Sequence, residues 1–338
     1  MRNFLIPIVF FLLLASACST STEKVLRSTD TNYKYAKAME WYNKGAYYKA
    51  IPVFEELMGL YKGSKTTEEI YYYYCLANFK QGSYILAAYH FKNYVQKHPK
   101  SEYAEEALFM HAESFYKQSP KVNLDQTETK NAIDAYQVFI NTYPASERVE
   151  DANNKIGELR KKLEEKSLKA AELYYRTKNY RAAAISYKNL IVDFPDIKGE
   201  KEIQYKIVVA YFEYADQSVV SKQQERFEET IKEANNYLSR YGNVEYAPLV
   251  KGLLEQAHIR TVESALDYAL IYTPEMRLTK LEEARQVYEY HLKSLTSDKS
   301  RETVDFILDV DWDSLDNDPI YQQLTDTLTI KVSWEQIT

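Results

Sequence analysis

Breakers and cross-links are scarce in these 338 residues: 8 glycines, 9 prolines and 2 cysteines. So few glycines and prolines favour long helices. Two cysteines exclude the multi-bridge framework that stabilises many small exported domains, so stability rests on packing. A basic excess is missing too, and the formal charge of −6 argues against nucleic acid as a partner. None of the histidines, His90, His98, His111, His258 and His291, pairs with a second ligand at the spacing of a recognised metal site. The chain also lacks a Gly-x-Ser-x-Gly elbow, a phosphate-cradling glycine loop and a cysteine beside a histidine. The sequence therefore predicts no catalysis, no cofactor and no metal. What it has in excess is tyrosine, with 32 copies, an amphipathic aromatic suited to wet, sticky surfaces.

The N-terminus reads as an export signal. Met1, Arg2 and Asn3 form a short positive start, and Phe4 to Ala15 is apolar apart from Pro7. That run falls well short of the ~20 residues a helix needs to cross a bilayer. Ala15, Ser16 and Ala17 before Cys18 resemble the lipobox of bacterial lipoproteins, with Ala15 at the position that usually holds leucine. The expectation is a signal peptide over 1–17, acylated Cys18 as a membrane anchor, and a polar tether over 18–31. Several acyl chains hold stably where one binds only marginally. Removing 1–17 leaves about 320 residues and moves the charge to −7. Ser19 after the cysteine is compatible with sorting to the outer membrane.

A repeat emerges from spacing. Gly45-Ala46-Tyr47 leads to Ala50 and Phe54, Gly82-Ser83-Tyr84 to Ala87 and Phe91, and Lys178-Asn179-Tyr180 to Ala183 and Tyr187; Ala132 and Tyr136 form a partial copy. Twelve residues after Ala87, Ala132 and Ala183 stand Pro99, Pro144 and Pro195, so these helices stop at one phase. A weaker copy runs through Phe227, Thr230 and Ala234, with Gly242 in place of proline. Twelve residues before the small residue lies another, Ala38, Cys75 or Ala171, which lets two helices cross closely. Lys34 and Asn78 depart from the large residues expected at their positions. The pattern resembles the tetratricopeptide (TPR) repeat over roughly 32–257. Successive small residues are 37, 45, 51 and 47 apart, against the ~34 of that repeat, so insertions are expected. Ser119 to Gln126 and Asp216 to Ser221 read as protruding loops. Val149 to Arg176 reads as one helix about 42 Å long joining two halves, with Lys155, Leu159, Lys162, Leu163 and Lys166 at helical spacing.

The expected fold is an all-α TPR solenoid of about five helix pairs. N-terminal units would occupy 32–148, the connecting helix and C-terminal units 149–257, and an extension 258–338. In the extension, Pro274 to Leu295 reads as an amphipathic helix through Leu278, Leu281, Ala284, Val287, Tyr288 and Leu292. Asp309, Asp311 and Asp313 alternate like a calcium loop, but Ser314 and Ile320 stand where glycine and glutamate are needed, so the stretch reads as a solvated acidic linker.

The lipobox, the repeats, the Ser119-Pro120 to Asp125-Gln126 loop and the long helix together resemble the BamD family of outer-membrane lipoproteins. The most telling stretches are Ala104 to Phe109, Phe139 to Pro144 and Ala171 to Tyr175. The resemblance covers residues 18 to about 257 and implies a periplasmic scaffold at the outer membrane. Its partners would be the barrel-forming assembly protein (BamA-like), at the C-terminal repeats, and nascent outer-membrane proteins, at the N-terminal ones. Other classes with the same architecture are a surface glycan-binding lipoprotein, which fits poorly with 3 tryptophans and 8 glycines, and a scaffold for cell-envelope enzymes.

In a solenoid the first helix of each pair lines the concave binding face. Tyr35, Met39, Tyr42, Asn43, Tyr72, Leu76, Phe79 and Lys80 fall on that phase in the first two units. They are the expected partner-binding residues, tyrosines giving contact area at low entropy cost and Lys80 meeting a terminal carboxylate. Within the run Tyr71 to Tyr74, Tyr71 and Tyr74 read as core and Tyr72 as facing the groove. Cys75, at a packing position, reads as a small core residue.

Overall fold

The computed structural model describes residues 21–61, 65–272 and 274–295, and among them it contains helices and no strand. After a helical turn over 21–26 come α1 (Thr31–Asn43), α2 (Tyr47–Leu60), α3 (Lys65–Lys80), α4 (Tyr84–Lys97), α5 (Ala104–Gln118) and α6 (Thr127–Thr142). They are followed by α7 (Val149–Arg176), α8 (Tyr180–Asp193), α9 (Glu200–Asp216), α10 (Val220–Tyr241), α11 (Ala247–Leu270) and α12 (Pro274–Leu292). The chain divides into two compact units, Met1–Lys166 and Ser167–Thr338. Signal peptide, Cys18 and the aspartates at 309, 311 and 313 lie outside the described residues.

The small residues do what their spacing predicts. Ala38, Ala50, Cys75, Ala87, Ala132, Ala171, Ala183 and Thr230 are all fully buried, as are Ala112 and Ala210, twenty residues before Ala132 and Thr230 where the insertions lengthen the unit. Larger side chains at these crossings would hold the helices apart. The aromatic four residues on, at Phe54, Phe91, Tyr136 and Tyr187, is buried as well. Each of α4, α6 and α8 ends two residues before its proline. Lys34 is buried, its ammonium 2.6 Å from Glu56 Oε1. Asn78, also buried, donates from Nδ2 to the Tyr74 carbonyl at 2.8 Å.

Three hairpin turns share one geometry. Gly45 and Gly82 take positive φ, 73° and 89°, while Ala46 N–H bonds the Trp41 carbonyl and Ser83 N–H the Asn78 carbonyl. Lys178, the only non-glycine residue with positive φ among the described residues, sits in the equivalent turn at 62°, with Asn179 N–H on the Tyr174 carbonyl. A Cβ is strained there.

The insertions resolve differently. Residues 119–126 form a loop, as expected. Those around 216–221 do not: α9 runs to Asp216 and α10 starts at Val220, so the surplus is absorbed as extra helix, α10 being 22 residues long. With no glycine or proline between Val219 and Tyr241, nothing stops a helix there.

In the first unit, α1 to α4 share a core rich in tyrosine, to which Val25 also contributes. The next core joins Phe109 and Ala112 of α5, Tyr136 and Phe139 of α6, and Ala152 and Leu159 of α7. In the second unit, α9, α10 and α11 pack through Phe212, Phe227 and Val250, and α11 meets α12 through Val262, Leu266, Ala284 and Tyr288.

Candidate functional site

The face expected to bind partners is carried by α1 and α3. Helix α1 starts cleanly because Asp30 caps it, its carboxylate accepting from the backbone N–H of Asn32 and Tyr33 at 3.0 and 3.1 Å. One turn in, the Tyr35 hydroxyl donates to Glu69 Oε1 of α3 at 2.8 Å. Burial first, then this carboxylate, push the Tyr35 phenol well above its ordinary pKa, so it remains a donor. Tyr42 stands edge-on to Tyr73 and Tyr47, with centroids 5.2 and 5.5 Å apart, and burial pushes its phenol up to about 12. Met39 and Leu76 lie half-buried against the same core, and Phe79 sets its edge on Tyr84 at 5.2 Å. Asn43 and Lys80, at the ends of α1 and α3, are exposed.

Tyr72 departs from expectation. It is only 4% exposed, because the Tyr103 ring lies flat on it, with centroids 4.4 Å apart and planes at 15°. Burial, then the Glu106 carboxylate, raise its phenol pKa. The helix phase is right, but the next repeat covers the position. Tyr71, Tyr74 and Cys75 are core, and burial pushes the Cys75 thiol well up.

Tyr103, the N-cap residue of α5, is therefore part of this face although the helix pattern alone does not point to it. The cover recurs. In the second unit Tyr246, the N-cap residue of α11, stacks on Tyr205 of α9 at 5.1 Å and 17°. Just before α7 the Arg148 guanidinium lies 5.1 Å over the Phe109 ring and pairs with Glu106 at 3.2 Å. A sequence signal exists: His98-Pro99-Lys100-Ser101-Glu102-Tyr103 and Tyr143-Pro144-Ala145-Ser146-Glu147-Arg148 share proline, serine and a flat terminal side chain at equal spacing.

Beside this face a charge cluster locks α5 and α6 to α7. Lys155 donates to Glu113 Oε2 at 2.6 Å, Tyr136 donates to the same oxygen at 2.7 Å, and the ammonium lies 5.0 Å from the Phe109 centroid. Burial works to raise the Glu113 carboxyl pKa, and the bonds from Lys155 and Tyr136 overcome it, so the net shift is downward. Further along α7, Lys162 reaches Ser119 Oγ at 2.7 Å and Lys166 the Leu124 carbonyl at 2.5 Å. Gln126, buried inside the loop, donates to the carbonyls of Lys121 and Leu124 at 2.9 and 3.0 Å.

Among the described residues no three His, Cys, Asp or Glu side chains gather as metal ligands, and no helix is long and apolar enough to cross a membrane. The α1–α3 face offers the half-buried Tyr35 phenol and Glu69 carboxylate and the exposed Asn43 amide and Lys80 ammonium beside half-buried apolar surface.

Residues 27–212, more than half of the chain, match the family described as YfiO, outer membrane lipoprotein. The chain belongs to this family. The YfiO segment holds α1 to α8 and α9 as far as Phe212, leaving α10 to α12 beyond it. Over 230 residues the chain is 28% identical to the putative outer membrane protein assembly factor BamD of Aquifex aeolicus (strain VF5), covering 67% of this chain and 74% of that one. It is 23% identical to the outer membrane protein assembly factor BamD of Rickettsia prowazekii (strain Madrid E), covering 54% of this chain and 75% of that one. Superposition on a solved TPR array is loose: the TPR2AB-domain:pHSP90 complex of yeast Sti1 gives a TM-score of 0.34 at 15% identity, covering 81% of this chain and 98% of that one. The repeat assignment here stands on the register of buried small residues instead. The YfiO family is one of non-enzymatic assembly scaffolds.

Proposed function

We propose that this chain is a lipid-anchored scaffold of outer-membrane β-barrel protein assembly, held through acylated Cys18 at the periplasmic face after removal of residues 1–17. The observation that carries this reading is the YfiO match across α1 to α9, in relatives named as outer membrane protein assembly factors. In the proposed division of labour, the N-terminal repeats before α7 receive extended segments of nascent barrel proteins. The repeats after it dock on the barrel-forming assembly protein.

The α1–α3 face supports the first half. Tyr35, Met39, Tyr42, Leu76 and Phe79 present half-buried surface whose positions are already fixed by core contacts, so little side-chain entropy is lost on binding. Asn43 and Lys80 supply polar ends, Lys80 for a terminal carboxylate. Tyr72 contributes through shape, as the support beneath Tyr103.

Extraction of the native membrane in mild detergent, followed by pull-down of the tagged chain and mass spectrometry, tests the assignment. The barrel-type assembly protein is the expected companion; recovery of only a glycan transporter or an envelope hydrolase overturns it. For the face, Tyr35→Ala with Leu76→Ala is expected to weaken binding of a barrel-derived peptide, and unchanged affinity removes the face from the proposal.

A further inference from the structure

Helix α4 turns a different side outward. Ile85, Leu86 and Tyr89 are 77%, 43% and 61% exposed, three large apolar side chains within little more than one turn. Ile85, Tyr89, Lys92 and Gln96 form one stripe along the helix, and Lys92, Gln96 and Lys97 are exposed. Helix α4 contains no aspartate or glutamate, in a chain whose formal charge is −6. At the phase of Ile85 the preceding repeat carries Tyr48 of α2, 60% exposed with the Lys49 ammonium 5.6 Å from its ring centroid, and at the phase of Lys92 an exposed Glu55. In α6, one hairpin further on, the corresponding positions are Lys130 and Asp134, both exposed and charged.

We infer that the outward face of α4, with Tyr48 beside it in the repeat phase, rests on the phospholipid surface and that its ligand is the headgroup layer. The inference rests on the reading of Cys18 as the acylated anchor. Val25 is buried in the core that also holds Phe91 and Tyr94 of α4. The seven residues from Cys18 to Val25 span at most about 25 Å even fully extended. The anchor therefore keeps this core close to the bilayer. Apolar and tyrosine side chains ringed by lysine suit that boundary: the rings sit at headgroup depth, the aliphatic chains reach below it, and the ammonium groups meet phosphate. Such a contact adds a second membrane signal and orients the chain, leaving α1 and α3 free for protein.

The test uses the full acylated chain in vesicles of phosphatidylethanolamine and phosphatidylglycerol. Spin labels are placed singly through Ile85→Cys, Tyr89→Cys and, for comparison, Asp134→Cys; Cys75, being buried, stays unlabelled. Collisions with a water-soluble nickel chelate are expected to be several-fold fewer at 85 and 89 than at 134, with oxygen collisions raised. Equal nickel access at the three positions overturns the proposal. So does access at 85 and 89 that falls only when a protein partner is added, which would assign the face to protein. The intact mass of the same sample reads the acylation separately. Shielded labels on a chain of unacylated mass would remove the anchor and keep the surface, whereas accessible labels defeat the surface whatever the mass.

Discussion

Helices α1 to α4 and the segment where α7 crosses α5 and α6 carry the same repeat yet are held differently. In the first, rings do most of the packing: Tyr42 stands edge-on to Phe54 and Tyr73, Phe54 stacks on Tyr73, and Tyr71 tilts against Tyr94. In the second, Lys155 and Glu113 form a bonded ion pair inside an aromatic cage. Ring packing depends on shape and apolar contact. An ion pair ties the fit to both partners being present and charged. The difference sets a ring-packed core, with the Lys34–Glu56 pair between its first two helices, against a caged ion pair on the long helix.

Phe54→Ala, at a fully buried ring that touches Tyr42 and Tyr73, is expected to break the ring-held side at a cost of about 3–5 kcal/mol, read from the midpoint of urea unfolding. On the charge-held side, Lys155→Met leaves Glu113 in place without its main partner and is expected to cost about 3 kcal/mol. Adding Glu113→Leu should recover much of that, and a double-mutant cycle without coupling would show that the pair does not act as one unit.

Acidity sharpens the contrast further. His258 of α11 and His291 of α12 are buried with their Nδ1 atoms 2.6 Å apart, one donating and one accepting. Burial lowers both pKa values, that of His291 to about 4, with the neighbouring His258 adding to the shift. Below about pH 6.5 the unfolded chain takes up protons that the folded pair refuses, so stability falls as pH drops from there toward 4 and is unaffected above. The loss should reach about 2–3 kcal/mol. With intrinsic exchange rates divided out, the amide protection factors of α12 are expected to fall at pH 5 relative to pH 7 while those of α3 hold; equal behaviour of the two helices, or an acid response that survives His291→Phe, would refute the assignment.

The smallest effect concerns the turns. Lys178→Gly relieves a strained φ and should stabilise by about 1 kcal/mol, whereas Gly82→Ala at the equivalent turn should cost a similar amount, both read from Tm.

Most of the helix array was legible because its signals are local: small residues twelve apart on facing helices, prolines at one phase, glycine in the hairpin turns. Helix α7 spans the expected 149–176 for the same reason, having no proline and only Gly157 within it. Contacts made far along the chain were harder to see. The lid on Tyr72 comes from Tyr103, 31 residues on, and a helix-face pattern says which side a residue points to but not what covers it. His258 and His291 lie 33 residues apart on different helices, where spacing rules for metal or catalytic pairs have no purchase. The surplus before Thr230 was misplaced because its length alone does not say whether it becomes loop or helix. The residues around 216–221 include no strong stop. For the α1–α3 face, the helix phase brought Tyr35, Met39, Tyr42, Leu76 and Phe79 together as half-buried neighbours. Glu69 and Tyr103, their polar and aromatic complements, needed the neighbouring repeat.

Cys75 is a free, fully buried thiol in the second hairpin, with its pKa pushed well up. Neither a reagent nor an oxidant reaches it until α3 and α4 part. Its rate of modification is therefore a clock for breathing of the tyrosine-rich core, one the protein carries without any engineered probe.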